Sequence, residues 1–575
     1  VVLQPAVDYI SFMTALPGAS RAMLALAAAC AVVACEATVP YDLVVRGGSV
    51  YDGTGSSVRR VDIGIKGDRI RAIGDLSAAR AGRVLDATGL IVAPGFIDVQ
   101  GQSGTTLLAD GNGESHLRQG ITTEVIGEGG SPAFWTPPTA DNNLLSSFGV
   151  TVDWTNFDGY FRKLQERGIA LNVATLVPAT MVRERHVGLD NRDPTPDELA
   201  RMEAMVDQAM RDGALGLSSA LIYPPGSFAK TAELVALARV AARHGGIYVT
   251  HVRGESFNLF DALDEALQIG RAADIPVVVF HLKVAARANW GRMGEVVAKL
   301  SNAAPAVRVS ATMYPYTAGG TGLAATLPLW VQEGGREKML ERLNDPAVRS
   351  RARQEIETTI DGWENLILGA GFDGIQIASV PQTVDQSIVG QRITEIAAAR
   401  KQDPWDTYFA LLIATEGRVG ALYHLMSEED VKTGLKWPLV TIGTDSSALR
   451  AEGLLARGSP HPRAYGTFPR VLGKYVRDEH VLGLAEAVRR MTSAAARQFG
   501  IRDRGLISED GFADLVIFDA NTVNDNATYE KPHQYPTGIL HVIVNGVPVL
   551  DPNGLTGARP GRPIYGPGRA PLAAQ

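Results

Sequence analysis

A chain of 575 residues with 45% hydrophobic and 20% charged residues can bury more than one core, which excludes a small binding module as the whole molecule. Lys and Arg number 55 against 62 Asp and Glu, a net charge of -7 spread along the chain, so no basic stripe exists for a phosphate backbone and nucleic acid is set aside as a partner. The two cysteines, Cys30 and Cys35, can build neither a disulfide framework nor a Cys-based zinc module.

In chain order, the first recognisable feature is the apolar run from Met23 to Val33, preceded by Arg21 and followed by Val32-Val33-Ala34-Cys35 and then Glu36. The run is too short to span a bilayer and has the basic, apolar and small-residue order of a secretory signal. Its ending resembles a bacterial lipobox, in which Cys35 becomes the lipidated first residue. The expectation is an exported protein, periplasmic or lipid-anchored in a bacterial envelope.

From Tyr41 the pattern changes to short strands broken by Gly47-Gly48 and Gly67-Asp68, which is hairpin chemistry. Paired strands recur at Ala513 to Asp519 and His541 to Leu550, so a small β-sandwich assembled from both chain ends is expected. Between them, apolar runs at Leu171–Val177, Gly216–Leu221, Ile247–His251, Val277–His281, Val307–Tyr314 and Leu439–Asp445 alternate with helical patterns at Glu198–Arg211, Thr231–Arg243, Phe257–Ala272, Gly294–Ser301 and Glu479–Phe499. Such alternation implies a parallel sheet buried on both faces. No Gly-rich phosphate turn follows the first strand, so an α/β fold of the (β/α)8 TIM-barrel type is expected over an open doubly wound sheet. The domain reading is a signal and extension at 1–37, the N-terminal portion of the β-sandwich at 38–96, a catalytic barrel at 97–500 with a helical insertion near 325–375, and the C-terminal portion of the β-sandwich with a tail at 501–575.

Polar residues end the apolar strands. His251 and His281 each close one, and two neutral imidazoles converging at a barrel mouth make a partial zinc site that needs a further ligand and an open position for water. Asp445 closes the last strand and is the natural general acid/base, although Asp also commonly caps helices.

Ala93-Pro94-Gly95-Phe96-Ile97-Asp98, His251, His281-Leu282-Lys283, Thr444-Asp445 and the segment His461 to Arg470 together resemble the N-acyl-D-amino-acid deacylase (D-aminoacylase) branch of the amidohydrolase superfamily. Gly511 to Val516 and Thr556 to Gly561 extend the resemblance over about residues 41–565. It implies a metal-dependent barrel hydrolase with a β-sandwich built from both termini. Most amidohydrolases carry His-x-His after the first barrel strand; here Gln100-Gly101-Gln102 occupies that place, leaving Gln100 and Gln102 as vestigial second-metal positions, because amides are poor zinc ligands. D-aminoacylases also place a metal-binding Cys in a Gly-rich turn after the second strand. Here that turn holds no Cys, and Glu128 stands beside the expected position. The expected centre is therefore one divalent metal ion, Zn²⁺ by preference, held by Glu128, His251 and His281 with water in the fourth position.

The resemblance further implies that Arg463 binds a substrate α-carboxylate, that Tyr223 and Tyr314 line the pocket, and that Lys283 polarises the scissile carbonyl or holds the carboxylate. The expected reaction is hydrolysis of an N-acyl-D-amino acid or a related peptide-like amide by metal-bound hydroxide, with Asp445 as general acid/base and Lys283 or Tyr223 on the oxyanion. The alternatives are another amidohydrolase activity, on imidodipeptides, cyclic imides or carbamates, or a metal-poor, non-catalytic envelope binding lipoprotein.

Overall fold

The computed structural model describes residues 40–134 and 142–570; the expected export signal and Cys35 lie outside them. Among the described residues no helix is long and apolar enough to cross a membrane.

Eight parallel strands form a barrel: Phe96–Asp98, Ile121–Ile126, Asn172–Thr175 continued as Val177–Pro178, Gly216–Ala220, Ile247–His251, Val277–Val279, Val309–Met313 and Val440–Ile442. Each pairs in parallel with the one before it. Closure falls just past the strand ends, where Gly101 bridges Ser446 and Asp445 N donates to Gln100 O at 2.7 Å. Gly443 is required there, because a Cβ would lie 2.8 Å from that of Gln100. The barrel is a packed core rather than a pore: Val99, Val125, Leu176, Val249, Val278 and Phe280 fill its interior.

Helices cover the outside because their apolar stripes match the outer faces of the strands. Pro196–Asp212 begins at a reciprocal Thr195–Glu198 capping box with proline at its first position, and buries Met202, Val206, Ala209 and Met210 against the barrel. The pattern at Glu479–Phe499 is not one helix. It forms Leu484–Met491 and Ser493–Gln498, separated at Thr492, whose backbone (φ −133°, ψ −95°) leaves the helical region.

A seven-stranded sheet takes Ser49–Val50, Arg59–Arg60 and Ile91–Pro94 from the N-terminal side, and Leu515–Phe518, Ile539–Val544, Val547–Asp551 and Gly554–Leu555 from the C-terminal side. A four-stranded sheet of Tyr41–Arg46, Asp62–Lys66, Arg69–Gly74 and Ala81–Asp86 packs on it through Leu43, Val45, Ile63, Ile65, Leu515 and Ile543. Asp514 joins this sandwich to the barrel: it pairs with Arg504 and accepts from Asn545 N, while Asn545 Nδ2 reaches Asn172 of the third barrel strand at 2.8 Å.

The segment between the seventh and eighth strands has its own core, including Leu323, Val331, Leu343, Ile375, Ile377 and Tyr408. Helices Leu329–Gln332, Gly335–Asn344, Pro346–Thr358 and Leu366–Ala370 lie beside a three-stranded antiparallel sheet of Gly319–Gly322, Ile375–Ser379 and Gly420–Tyr423. Its residues Gly320, Thr321, Leu366, Tyr423 and Leu425 reach the barrel mouth and wall the cavity there.

Candidate metal centre and active site

The carboxyl ends of the strands converge on a cavity of about 310 Å³. Gly127, at φ +97°, turns the chain off the second strand; a Cβ there would lie 2.7 Å from Leu176 O. The turn directs Glu128 inward. Its Oε1 lies 3.2 Å from His251 Nδ1 and 3.0 Å from His281 Nε2, and all three side chains are buried. Ligand atoms of these three residues lie within 4.8 Å of one another, a set that can hold a metal ion. His251 ends its strand, but the sixth strand stops at Val279, and His281 adopts φ +35° in the left-handed region. That costly conformation is fixed by two acceptors on the His281 N–H, Gln100 Oε1 at 3.1 Å and Thr312 Oγ1 at 2.7 Å.

The donor set fits a cation electrostatically as well as geometrically. Burial and Lys283 oppose a charged His281, yet Glu255 and Glu128 hold its pKa up at about 9. Burial likewise works against a charged Glu128, but His281 and His251 more than offset it and keep the carboxyl well below its usual range. Two buried carboxylates thus draw positive charge onto His281, and a divalent ion answers that demand directly.

Glu255, four residues after His251, is a site residue that the sequence pattern does not single out. It is buried on the turn after the fifth strand, forms an ion pair with Lys283, and lies 2.9 Å from His281 Nδ1 and 3.7 Å from His251 Nε2. It therefore faces the ring edges turned away from Glu128. Its one trace in the sequence is an acid a short turn after a strand-ending His, a spacing too common to mark a site. Lys283 approaches by a turn rather than by strand alternation, and Nζ lies 2.7 Å from His281 Nδ1.

Asp445 adopts φ +48° and lies across the mouth from the histidines. Asp98, fully buried, holds that stretch by accepting from Thr444 N at 2.9 Å, Thr444 Oγ1 at 2.6 Å and Gln100 N at 3.1 Å. Burial raises the Asp445 pKa, and Arg463 pulls it back. Arg463, at the start of helix Arg463–Arg470, lies 2.8 Å from Asp445 Oδ2 and stacks over Tyr314 with 4.5 Å between guanidinium carbon and ring centroid. The guanidinium is buried and lines the cavity, a placement suited to binding an anion. Tyr223 packs edge-on against His251 with ring centroids 5.4 Å apart. Burial raises the pKa of both Tyr223 and Tyr314, so both are neutral hydroxyl donors. Gln100 and Gln102 are also at the centre, and each donates an amide N–H to Glu128 Oε2, at 2.9 and 2.8 Å.

A buried carboxylate and two imidazoles at the mouth of a parallel barrel, with an acid and a guanidinium opposite, define a metal-dependent hydrolase of the amidohydrolase type. Residues 385–550 match the model of the Amidohydrolase family. D-aminoacylase of Alcaligenes xylosoxydans xylosoxydans is 36% identical over 526 residues, 91% of this chain and 97% of that protein. A D-aminoacylase structure, described for a binuclear centre with one-metal activation and second-metal attenuation, superposes with a TM-score of 0.76 at 34% identity, covering 92% of this chain and 100% of the other. The N-acyl-D-glutamate deacylase of Bordetella bronchiseptica, solved with zinc and a phosphonate mimic of the tetrahedral intermediate, gives 0.75 at 33% identity, covering 91% and 99%. The chain belongs to the D-aminoacylase, or N-acyl-D-amino-acid deacylase, branch of the amidohydrolase superfamily. It is a hydrolase that uses one divalent metal ion, for which zinc best suits the His, His and carboxylate donors.

Proposed function

We propose that this protein hydrolyses the amide bond of N-acyl-D-amino acids or related peptide-like amides that carry a free α-carboxylate. The observation that carries this reading is the buried Arg463 guanidinium, which lines the same cavity as the Glu128, His251 and His281 cluster. Arg463 would seat the carboxylate by charge-assisted N–H bonds, which sets the amide between itself and the imidazoles. Glu128, His251 and His281 would hold a divalent ion, which would supply Lewis-acid polarisation and lower the pKa of bound water. Asp445, ionised, would take a proton from the attacking water and return it to the departing nitrogen. Tyr223 supplies a neutral O–H donor, and Lys283 a cation, for charge developing on the carbonyl oxygen.

The test is a panel of N-acetyl D- and L-amino acids alongside imidodipeptide, cyclic-imide and carbamate substrates. Release of free D-amino acid in preference to the rest supports the reading, and equal neglect of both enantiomers sinks it. We further propose an exported, lipid-anchored protein, on the strength of Arg21, the Met23–Val33 run and Val32-Val33-Ala34-Cys35. Labelled-lipid incorporation that persists in a Cys35→Ser variant would refute the anchor.

A further inference from the structure

Gln100 Oε1 accepts hydrogen bonds from His281 N at 3.1 Å and from Thr312 Oγ1 at 2.6 Å. A carboxamide has one oxygen, so these two donors fix the orientation of the group, and Nε2 necessarily faces Glu128. Gln102 Nε2 carries two protons. One points to Glu128 Oε2 at 2.8 Å, and the other lies toward Asp445 Oδ1 at 3.4 Å. The distal oxygen of Glu128 therefore receives two amide N–H groups while its other oxygen faces the imidazoles. An NH₂ group thus lies between Glu128 and Asp445, two carboxylates whose charge a cation could otherwise share. An amide nitrogen has no lone pair to offer a metal, and it supplies the donor character a cation would supply without its charge.

We propose that the carboxamides of Gln100 and Gln102 stand in for a second cation. They hold Glu128 with a single oxygen toward the histidines, tie it to Asp445, and restrict the centre to one ion, so that excess metal does not attenuate the enzyme. Gln100 and Gln102 are positioning residues in this arrangement. Their role rests on Glu128, His251 and His281 being the metal centre, and the two ideas fail in different ways when tested.

Metal-free protein is titrated with Zn²⁺ and with Co²⁺, bound metal is counted by elemental analysis, and the Co²⁺ absorption spectrum is followed. The wild type is expected to saturate at one equivalent, with hydrolysis undiminished in excess metal. Gln102→Glu, nearly isosteric, sets a third carboxylate beside Glu128 and Asp445; it is expected to take a second equivalent with a new Co²⁺ band and to lose activity in excess metal. Gln100→His with Gln102→His makes the same prediction by a different donor set, and circular dichroism establishes which variants are folded. Two equivalents in the wild type, or one equivalent in every folded variant, overturns the proposal. No bound metal in the wild type overturns the metal-centre reading itself.

Discussion

Arg463 Nη1 lies 2.8 Å from Asp445 Oδ2, which pairs the group proposed to seat a substrate carboxylate with the group proposed to move the proton. The two roles are thereby coupled. Burial raises the Asp445 pKa and Arg463 lowers it, so a substrate carboxylate that engages the guanidinium removes part of what keeps Asp445 ionised. Asp445 then holds a proton more readily at the stage where the leaving nitrogen needs one. In free enzyme Asp445 must be ionised to act as a base, so the acid limb of kcat/KM is expected above the ordinary Asp range. Arg463→Gln is expected to shift that limb to higher pH. Asp445→Asn should lower kcat by about 10²–10⁴-fold, the usual worth of a general acid/base, with metal content unchanged. A pH–rate profile of the three proteins decides this; an unmoved limb in Arg463→Gln contradicts the coupling.

Arg463→Lys tests the carboxylate seat separately. A lysine keeps the charge but loses the planar fork, and a charged hydrogen bond is worth about 1.5–3 kcal/mol. KM is expected to rise by roughly one to two orders of magnitude, with kcat much less affected. An amide substrate lacking the carboxylate should respond equally in wild type and variant, and steady-state kinetics on the two substrates shows whether it does.

Glu128→Gln keeps the shape of the side chain and removes its charge. Glu128 accounts for the contacts that bring His251 and His281 together at 3.2 and 3.0 Å. The variant is expected to lose stoichiometric metal on dialysis while remaining folded, read by elemental analysis and circular dichroism. Full metal retention would assign the third ligand elsewhere.

The barrel was legible because buried parallel strands and amphipathic helices write their periods directly into the chain, as at Ile247–His251 and Pro196–Asp212. Strand ends mark where side chains emerge at the mouth, which singled out His251, His281 and Asp445, although the last two lie just past strands that stop at Val279 and Ile442. What stayed hidden depends on turns. The left-handed backbone of His281 brings Lys283 back over its own imidazole, and no periodicity announces that. Glu255 has the same difficulty, since its role comes from residues on the adjoining sixth-strand turn. The amide pair read as a vestige of a metal site gains meaning only from the orientation that His281 N and Thr312 impose on Gln100.

Glu255→Gln addresses the hidden carboxylate. Glu255 is the counter-charge of Lys283 and lies against the ring edges of both histidines that face away from Glu128, so its removal leaves a buried lysine beside an imidazole. Losing an outer carboxylate of a metal-ligating histidine commonly costs about 10–100-fold in metal affinity or activity. A fall of that size in zinc affinity, measured by competition with a chelator, is expected; an unchanged affinity with lower kcat would place Glu255 on the Lys283 side alone.

Glu364 ties the insertion to the turn that carries Glu255, and its burial makes stability depend on pH. Its Oε2 accepts from Glu255 N at 2.7 Å, and Ser256 lies beside the carboxyl. Burial raises its pKa to about 7, and the neighbouring Glu255 charge adds to the shift. The folded protein therefore binds a proton that the unfolded chain, near the ordinary glutamate value of 4.5, has already released. Between these two values the native state holds more protons, so this group's contribution to stability is full below pH 4.5 and declines as pH rises to about 7. Glu364→Gln keeps the oxygen that accepts from Glu255 N and removes the titration. Relative to the variant, the wild type is expected to lose stability progressively from about pH 4.5 to about pH 7, by a total on the order of a few kcal/mol. Urea denaturation of both proteins across that range checks it, and parallel stability curves would show that Glu364 does not titrate in the window.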